Sequence, residues 1–271
     1  MKLTQVAFTA LAVFAANHAA AQSCTPISSI PANITVSGRY CLTQSVNSSL
    51  ASGAAISVSA SNVQIDLQGF TLDNTAAGAA STAAGVFHNS QLPGFELANG
   101  TLRGFNSAVN AAVFASNPNA VTLQDLRLEL SRAIGLVVVG DHSIVRRVNV
   151  SRVVPQGAQT SALAIVGNGN RIRFIDNDIS DVAEATAGVG SGITCTSCNG
   201  AIYEQNRITG GAGLGTFRGI FAGPNSILRR NSINNADEGI RMSSTGSKYQ
   251  DNLTTQVTTA FIGGTDAGGN N

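Results

Sequence analysis

The sequence predicts an all-β solenoid, in which short strands form stacked coils around one apolar core. Two markers recur along the chain. The first is a small residue followed by an apolar one. The second comes some 12 to 14 residues later: an aromatic or aliphatic residue, then Asn three positions on, then an apolar residue two positions after the Asn. No segment beyond the first 21 residues shows sustained helical periodicity. A repeat of 21 to 29 residues without a helix indicates that each repeat forms one coil of the solenoid.

The first 21 residues have the pattern of a secretory signal peptide. Lys2 supplies a positive charge, an apolar run follows over 6–16, and a small-residue cleavage signal ends at Ala21. The apolar run is too short for a membrane anchor, which needs roughly 20 apolar residues. We therefore expect cleavage after Ala21, a secreted or periplasmic product, and no membrane contact by the mature form.

Three segments follow the signal peptide. We expect an N-terminal cap over 22–54, a parallel β-helix over 55–260 and a Gly-rich C-terminal tail over 261–271. The markers divide the central segment into about eight coils. Between the turns, apolar and polar residues alternate as in half-buried strands, for example from Val63 to Leu67.

The Asn of the second marker forms a column at Asn177, Asn206, Asn231 and Asn252, with steps of 29, 25 and 21 residues. Asn tolerates the left-handed backbone conformation that a sharp turn requires, so we expect it at the turn itself. Stacked Asn side chains can also hydrogen-bond along the solenoid axis as a ladder. We expect these four residues to form a structural ladder.

The four cysteines permit three disulfide pairings in an exported protein. The local pairing, Cys24 with Cys41 and Cys195 with Cys198, is the favoured one, and the first bridge would link the N-terminal cap. The second pair lies in a strand-then-turn context, whereas a redox motif would need a helix N-terminus. A zinc site would need two more ligands nearby, and no histidine is close in sequence.

Composition narrows the range of partners. Charged residues make up 11% of the chain and the formal net charge is +1, so no basic face for nucleic acid is expected. Without residues 1–21 the chain has equal numbers of basic and acidic residues, and neutrality removes long-range steering of charged partners.

The chain resembles the right-handed parallel β-helix, or pectin-lyase-like, superfold. More narrowly, it is similar to secreted bacterial β-helix-repeat proteins, which mostly have no assigned activity. The segments that carry this resemblance are 63–72, 99–105 and the Asn column. The resemblance implies a single-stranded, right-handed solenoid and polysaccharide as a partner, but this fold hosts catalytic and non-catalytic proteins alike.

A polysaccharide lyase would need a base beside the uronate carboxylate and a cation to neutralise that carboxylate. The best candidate cluster is Arg147, Asp176, Asp178 and Arg207, which fall in nearby columns of the repeat. Strands in adjacent coils lie about 4.8 Å apart, so the four side chains could form one patch. The same charges could equally form an ion-pair ladder that stabilises the solenoid.

Weaker binding candidates are His142, Asp237 and Glu238, all at predicted turns. The two adjacent carboxylates could hold Ca²⁺, a cofactor that we expect only if the protein is a lyase. Otherwise we expect no cofactor and no metal site.

Insertions fall at one phase of the coil, over 73–84, 155–161, 183–191 and 210–217. Insertions at one phase of a solenoid stack along one edge and often mark the binding face. We expect a shallow groove beside them, with a floor near the Arg147, Asp176, Asp178 and Arg207 patch.

Three functions remain open at this stage. The first is a secreted, non-catalytic solenoid that contacts a polysaccharide or a cell-surface glycan. The second is a polysaccharide lyase or related enzyme acting on an acidic glycan, and the third is a structural or adhesive solenoid. The sequence does not decide whether the chain is an enzyme, nor its oligomeric state.

Overall fold

The computed structural model describes residues 23–88, 92–112, 120–155, 161–183, 188–211, 213 and 215–271. The expected signal peptide therefore lies outside the described residues. The described chain forms 26 strands, numbered β1 to β26 in chain order, and a single short 3₁₀ turn at Thr75–Ala77. Every strand pairing is parallel and joins one coil to the next, which makes the protein an all-β parallel solenoid. It has about seven turns, close to the number of coils expected.

Each coil contributes strands to three stacked sheets. Sheet 1 contains β2 (Ala32–Ile34), β5 (Ala54–Val58), β8 (Ala84–His88), β10 (Ser107–Ala112), β12 (Ile134–Val139), β15 (Ala162–Asn168), β18 (Val189–Cys195), β21 (Thr216–Ala222) and the second halves of β23 (Ser232–Met242) and β25 (Leu253–Ile262). The strands β15, β18 and β21 of this sheet have seven residues each.

Sheet 2 follows sheet 1 in each coil. It contains β1 (Thr25–Ile27), β3 (Gly38–Leu42), β6 (Val63–Asp66), the first halves of β9 (Phe95–Arg103) and β11 (Val121–Glu129), β13 (Ile144–Arg146), β16 (Arg173–Ile175), β19 (Ile202–Glu204), β22 (Ile227–Arg229), β24 (Lys248–Gln250) and β26 (Thr265–Asp266).

Sheet 3 completes the coil. It contains β4 (Val46–Asn47), β7 (Thr71–Asp73), the second halves of β9 and β11, β14 (Asn149–Val153), β17 (Asp178–Val182), β20 (Arg207–Gly210) and the first halves of β23 and β25. One continuous apolar core lies between the three sheets and runs from Ile27 to Met242.

The glycine of the first marker occupies a column of sheet 1 where space is very small. A Cβ at Gly192 would lie 2.6 Å from the carbonyl oxygen of Gly219 on the next coil and 2.6 Å from the Ile208 side chain. Gly135 and Gly239 face the next coil in the same way. Glycine is therefore needed at this position of the marker, because the backbone lies close to the next coil and to a core side chain and leaves no space for a Cβ atom.

The parallel pairing continues through both end segments. In the expected N-terminal cap, β1 pairs with β3, and β3 pairs with β6 of the next coil. In the Gly-rich tail, β26 pairs with β24, and the Asn270 side-chain oxygen accepts a hydrogen bond from Asn252 Nδ2 at 3.1 Å. Both segments are thus part of the solenoid, because each continues the strand pairing.

Candidate functional site

The Asn column is a buried ladder. Asn177 Nδ2 donates to Asn206 Oδ1, Asn206 Nδ2 to Asn231 Oδ1, and Asn231 Nδ2 to Asn252 Oδ1, each at 2.9 Å. Each Nδ2 also donates to a backbone carbonyl of the preceding coil, as Asn206 does to Phe174 at 3.0 Å. From Asn177 onward, the ladder gives the buried side-chain amides at this corner hydrogen-bond partners within the protein, so its role is structural.

The expectation that these Asn residues adopt the left-handed conformation is wrong. The residue before each Asn does so instead, with φ of 53° at Asp176, 57° at Gln205, 55° at Arg230 and 53° at Asp251. The turn directs the Asn side chain inward, where it is needed as a hydrogen-bond donor, and places the exposed left-handed residue outside. The left-handed backbone conformation therefore occurs in the column before the Asn residues, and the hydrogen-bonded ladder occurs in the Asn column itself.

The predicted charged patch lies on this same corner, between sheets 2 and 3. Arg207 Nη1 lies 3.5 Å from Asp176 Oδ1, and Arg207 Nη2 lies 3.4 Å from Asp178 Oδ2. The three side chains are 44–59% exposed. The structure thus brings these three residues together as ion pairs in solvent, a setting in which such pairs contribute about 0–1 kcal/mol.

Arg147 shares the column of Asp176 but binds a different carboxylate. Its Nε and Nη2 donate to the two oxygens of Asp125 at 2.6 and 2.7 Å. This bidentate contact raises the pKa of Arg147 and lowers the pKa of Asp125. Arg147 and Asp125 are therefore partners in an ion pair, and neither is held in a form suited to proton transfer at neutral pH.

The weaker candidates are also separated from one another by their contacts. His142 is exposed, has φ of 59°, and its Nε2 lies 3.4 Å from Arg171 Nη1. Asp237 accepts a hydrogen bond from the Phe217 amide at 2.7 Å. Among the residues that the structure describes, no group of three or more His, Cys, Asp or Glu side chains could hold a metal ion.

Glu238 bridges two arginines rather than facing Asp237. Its carboxylate accepts from Arg218 Nε at 2.8 Å and from Arg241 Nη1 at 2.9 Å. Both guanidinium groups also lie over the Phe221 ring, 5.7 and 5.4 Å from its centroid. The last coils of sheet 1 therefore carry a charged, ordered surface around one aromatic ring.

All four cysteines are paired, Cys24 with Cys41 and Cys195 with Cys198. The first bridge joins the residue before β1 to β3 on the next coil, and the second closes the turn after β18. Cys195 and Cys198 are fully buried in the core. Both bridges hold coils or turns in place.

The outward side of sheet 1 was not anticipated. From β5 to β18 the side chains at its outward positions, which we call the uncharged face, form two columns without a charged residue among those described. One column contains Ala54, Ala84, Ser107, Ile134, Leu163 and Ser191, of which the two serines are buried, and the other contains Ser57, Phe87, Asn110, Val137, Val166 and Thr194. The strands β12 and β15 place four branched apolar side chains at its centre. The sequence signal was the run of apolar residues at outward positions in these two strands.

A cavity of about 230 Å³ lies at the corner between sheets 3 and 1, beside the first insertion. Its lining includes Thr75 and Gly104 on one side and Ser131, Arg132 and Arg152 on the other, and we call it the Arg132 cavity. The insertions do lie at this corner, as far as the structure describes them. The expected groove floor is wrong, however, because none of the four predicted charged residues lines this cavity.

Arg132 is only 5% exposed, and its burial lowers its pKa. Its Nη2 makes one long hydrogen bond, 3.5 Å, to the Asn74 carbonyl, and its Nη1 has no partner. The hydroxyl of Ser131 is also buried without a partner. Sequence reasoning missed both residues because a Ser-Arg pair after a strand resembles an ordinary exposed turn.

An ion-pair cluster on sheet 3 reaches the Arg132 cavity through Arg152. Glu129 lies between three arginines, 3.8 Å from Arg103 and 3.7 Å from Arg152, and it accepts a hydrogen bond from Arg127. Asp73 lies 3.7 Å from Arg103. With Arg132, this cluster has four guanidinium groups and two carboxylates, so its local charge is positive.

No helix in the described part of the chain is both long and apolar enough to cross a membrane.

No family model, no curated protein and no solved structure matches this chain. The resemblance to the pectin-lyase-like superfold therefore receives no support from relatives, and the established description is a disulfide-bonded parallel β-solenoid.

Proposed function

We propose that this protein is an exported, non-catalytic β-solenoid that contacts a polysaccharide through the uncharged face of sheet 1. The observation that carries the proposal is the contrast between this face and the two others. Sheets 2 and 3 present paired charges to solvent, whereas the uncharged face presents apolar and small polar side chains at a regular spacing of about 4.8 Å.

This surface suits a sugar chain for a physical reason. Sugar rings have apolar C–H faces that pack on aromatic and branched apolar side chains, and hydroxyl rims that bond Ser, Thr and Asn. Val137 and Val166 supply the apolar centre, and Asn110 and Thr194 flank them in the same column. Phe87 supplies an exposed aromatic ring in this column, one coil before Asn110.

The charged residues support a non-catalytic role. A lyase or hydrolase needs carboxylates and a base free to act on one bond. Asp125, Asp178 and Glu238 each bind an arginine, and Asp237 accepts from a backbone amide. These contacts favour binding over chemistry.

Export is part of the proposal. The signal-peptide pattern over 1–21 and two disulfides agree with an oxidising compartment outside the cytoplasm. The mature chain would then start at Gln22 and meet polysaccharide in the periplasm or outside the cell.

The test is co-sedimentation of mature protein with insoluble polysaccharides: cellulose, chitin and a calcium–polyuronate gel. The variant Phe87→Ala/Val137→Ala should bind at least about tenfold more weakly, because it removes the aromatic ring and a central branched side chain from the uncharged face. The matched control, Ile227→Ala/Leu253→Ala, removes two exposed apolar side chains from sheets 2 and 3 and should bind as the wild type does.

Three outcomes would contradict the proposal. Binding lost equally in the control and in Phe87→Ala/Val137→Ala would mean that the uncharged face is not the contact. Absence of binding to all three materials would favour the structural or adhesive role. Growth of ultraviolet absorbance from unsaturated uronate during incubation would instead identify a lyase.

A further inference from the structure

The Arg132 cavity has the properties of a binding site for a small anion. An arginine that is 95% buried is costly unless the donors of its guanidinium group are satisfied. Arg132 has a single long hydrogen bond to a neutral carbonyl and no ion pair within the described chain. The fold therefore leaves Nη1 of Arg132 without a hydrogen bond and its charge without an ion pair among the described residues.

No acidic side chain of the described residues forms an ion pair with Arg132. Glu129 is the nearest acidic residue of the cluster in sequence, and its contacts go to Arg103, Arg127 and Arg152. Those arginines lie on or beside sheet 3, whereas Arg132 lies past the corner, between β11 and β12. Arg132 and Arg152 line the cavity, and no acidic residue does.

Size and donors also agree with a bound anion. A cavity of about 230 Å³ exceeds by several times the roughly 30 Å³ that a water molecule occupies in the liquid. Arg132 and Ser131 line it and each has a buried donor without a partner, and Arg152 adds a second guanidinium at its edge. A planar guanidinium beside a hydroxyl matches the oxygen atoms of carboxylate, sulfate or phosphate.

We propose that the Arg132 cavity binds a small oxyanion, with Arg132 as the principal ligand and Ser131 and Arg152 as additional donors. The oxyanion group is either a free ion or a substituent of a larger molecule. This site is separate from the uncharged face, so the inference does not depend on the proposed polysaccharide contact.

The experiment is isothermal titration and thermal unfolding of the mature protein with sodium sulfate, phosphate or acetate, at an ionic strength held constant with sodium chloride. We expect saturable binding of at least one of these ions and a rise in melting temperature that chloride does not reproduce. Arg132→Gln should weaken binding at least about tenfold. Ser131→Ala should weaken it by a smaller factor, because the guanidinium remains.

The matched control is Arg173→Gln, which removes an exposed arginine from sheet 2 and should leave binding unchanged. Without added anion, Arg132→Gln should be at least as stable as the wild type, because it removes an uncompensated buried charge. A structural Arg132 would instead give a lower melting temperature in Arg132→Gln at zero anion.

The proposal is overturned if none of the three anions binds, or if Arg132→Gln binds as the wild type does. If Arg132→Gln does not fold, Ser131→Ala decides, and unchanged binding in that variant overturns the proposal. Sulfate binding that Arg132→Gln abolishes, with polysaccharide co-sedimentation unchanged, would support this site whatever the outcome at the uncharged face. Tighter binding of a sulfated or uronate oligosaccharide than of the free ion would identify a polymer substituent as the ligand.

Discussion

At the scale of single residues, the solenoid core accepts a few polar groups that it leaves unsatisfied. Arg132 is one of them and His88 is another. His88 is fully buried at an inward position of β8, stacks on Phe95 with ring centroids 4.6 Å apart, and neither ring nitrogen has a partner in the described chain. A buried titratable group without a partner makes the free energy of unfolding depend on pH.

His88 predicts acid sensitivity. Burial lowers its pKa from 6.5 to about 4, so the folded protein holds it neutral while the unfolded chain binds a proton below pH 6.5. The free energy of unfolding should therefore fall between pH 6.5 and pH 4, by at most about 3 kcal/mol. Urea unfolding across this range measures the slope.

Two variants separate His88 from other titrating groups. His88→Phe preserves the ring stacking and should flatten the pH dependence between 6.5 and 4. His142→Gln changes an exposed histidine and should retain the wild-type slope. An unchanged slope in His88→Phe would assign the acid sensitivity to other groups.

At the scale of elements, each coil depends on side chains that bridge it to its neighbours. The Asn ladder connects successive turns between sheets 2 and 3, and the glycine column allows sheet 1 to approach the coil beside it. Insertions occur at the third corner, where neither device is present. The predicted insertions therefore lie at the corner that carries the Arg132 cavity, whereas the corner with the Asn ladder keeps a nearly constant length.

Asn206 lies at the centre of the ladder and tests its contribution. Its Oδ1 accepts from the backbone and side chain of Asn177, and its Nδ2 donates to Phe174 and Asn231. Asn206→Ala removes the acceptor of the Asn177 amide and side chain and the side-chain donor to the Phe174 carbonyl, and so leaves buried polar groups of the preceding coil unpaired. We expect a loss of about 3 kcal/mol in the free energy of unfolding, measured by chemical denaturation.

Asn168→Ala is the matched control, because this exposed residue in sheet 1 lies outside the ladder. It should change the free energy of unfolding by less than about 0.5 kcal/mol. An equal effect of the two substitutions would argue against a special role for the ladder.

At the scale of the whole molecule, a solenoid has only neighbour contacts between coils, so its stability is local. The Cys24–Cys41 bridge encloses a sequence separation of 17 residues at the N-terminal end. A loop of this size contributes about 3 kcal/mol in the chain-entropy model. That stabilisation applies to the first coils and does not extend to distant ones.

Cys24→Ser/Cys41→Ser should therefore raise amide hydrogen exchange in β1 and β3 while β16, β19 and β22 keep their protection. Exchange followed by mass spectrometry of peptides measures both regions in one sample. A uniform rise in exchange along the chain would mean that the solenoid unfolds as a single cooperative unit and would contradict local stabilisation.

The repeat determined the architecture because its two markers are physical requirements of a coil. A small residue is needed where backbones approach closely, and Asn is needed where buried donors and acceptors must pair between coils. The same markers located the strands, the ladder and the corner with the insertions. Hydrophobic period and residue size are local properties, so the sequence alone contained them.

Only the tertiary structure decided which polar side chains are partnered and which are buried alone. Arg147 shares a column with Asp176 yet binds Asp125 one coil earlier, and Arg132 lies beside ordinary turn residues yet is almost fully buried. Pairing of charges depends on side-chain directions at a corner and on the lengths of neighbouring coils. Because the chain brings those coils together across 20 to 30 residues, the candidate sites emerged only once the coils were stacked.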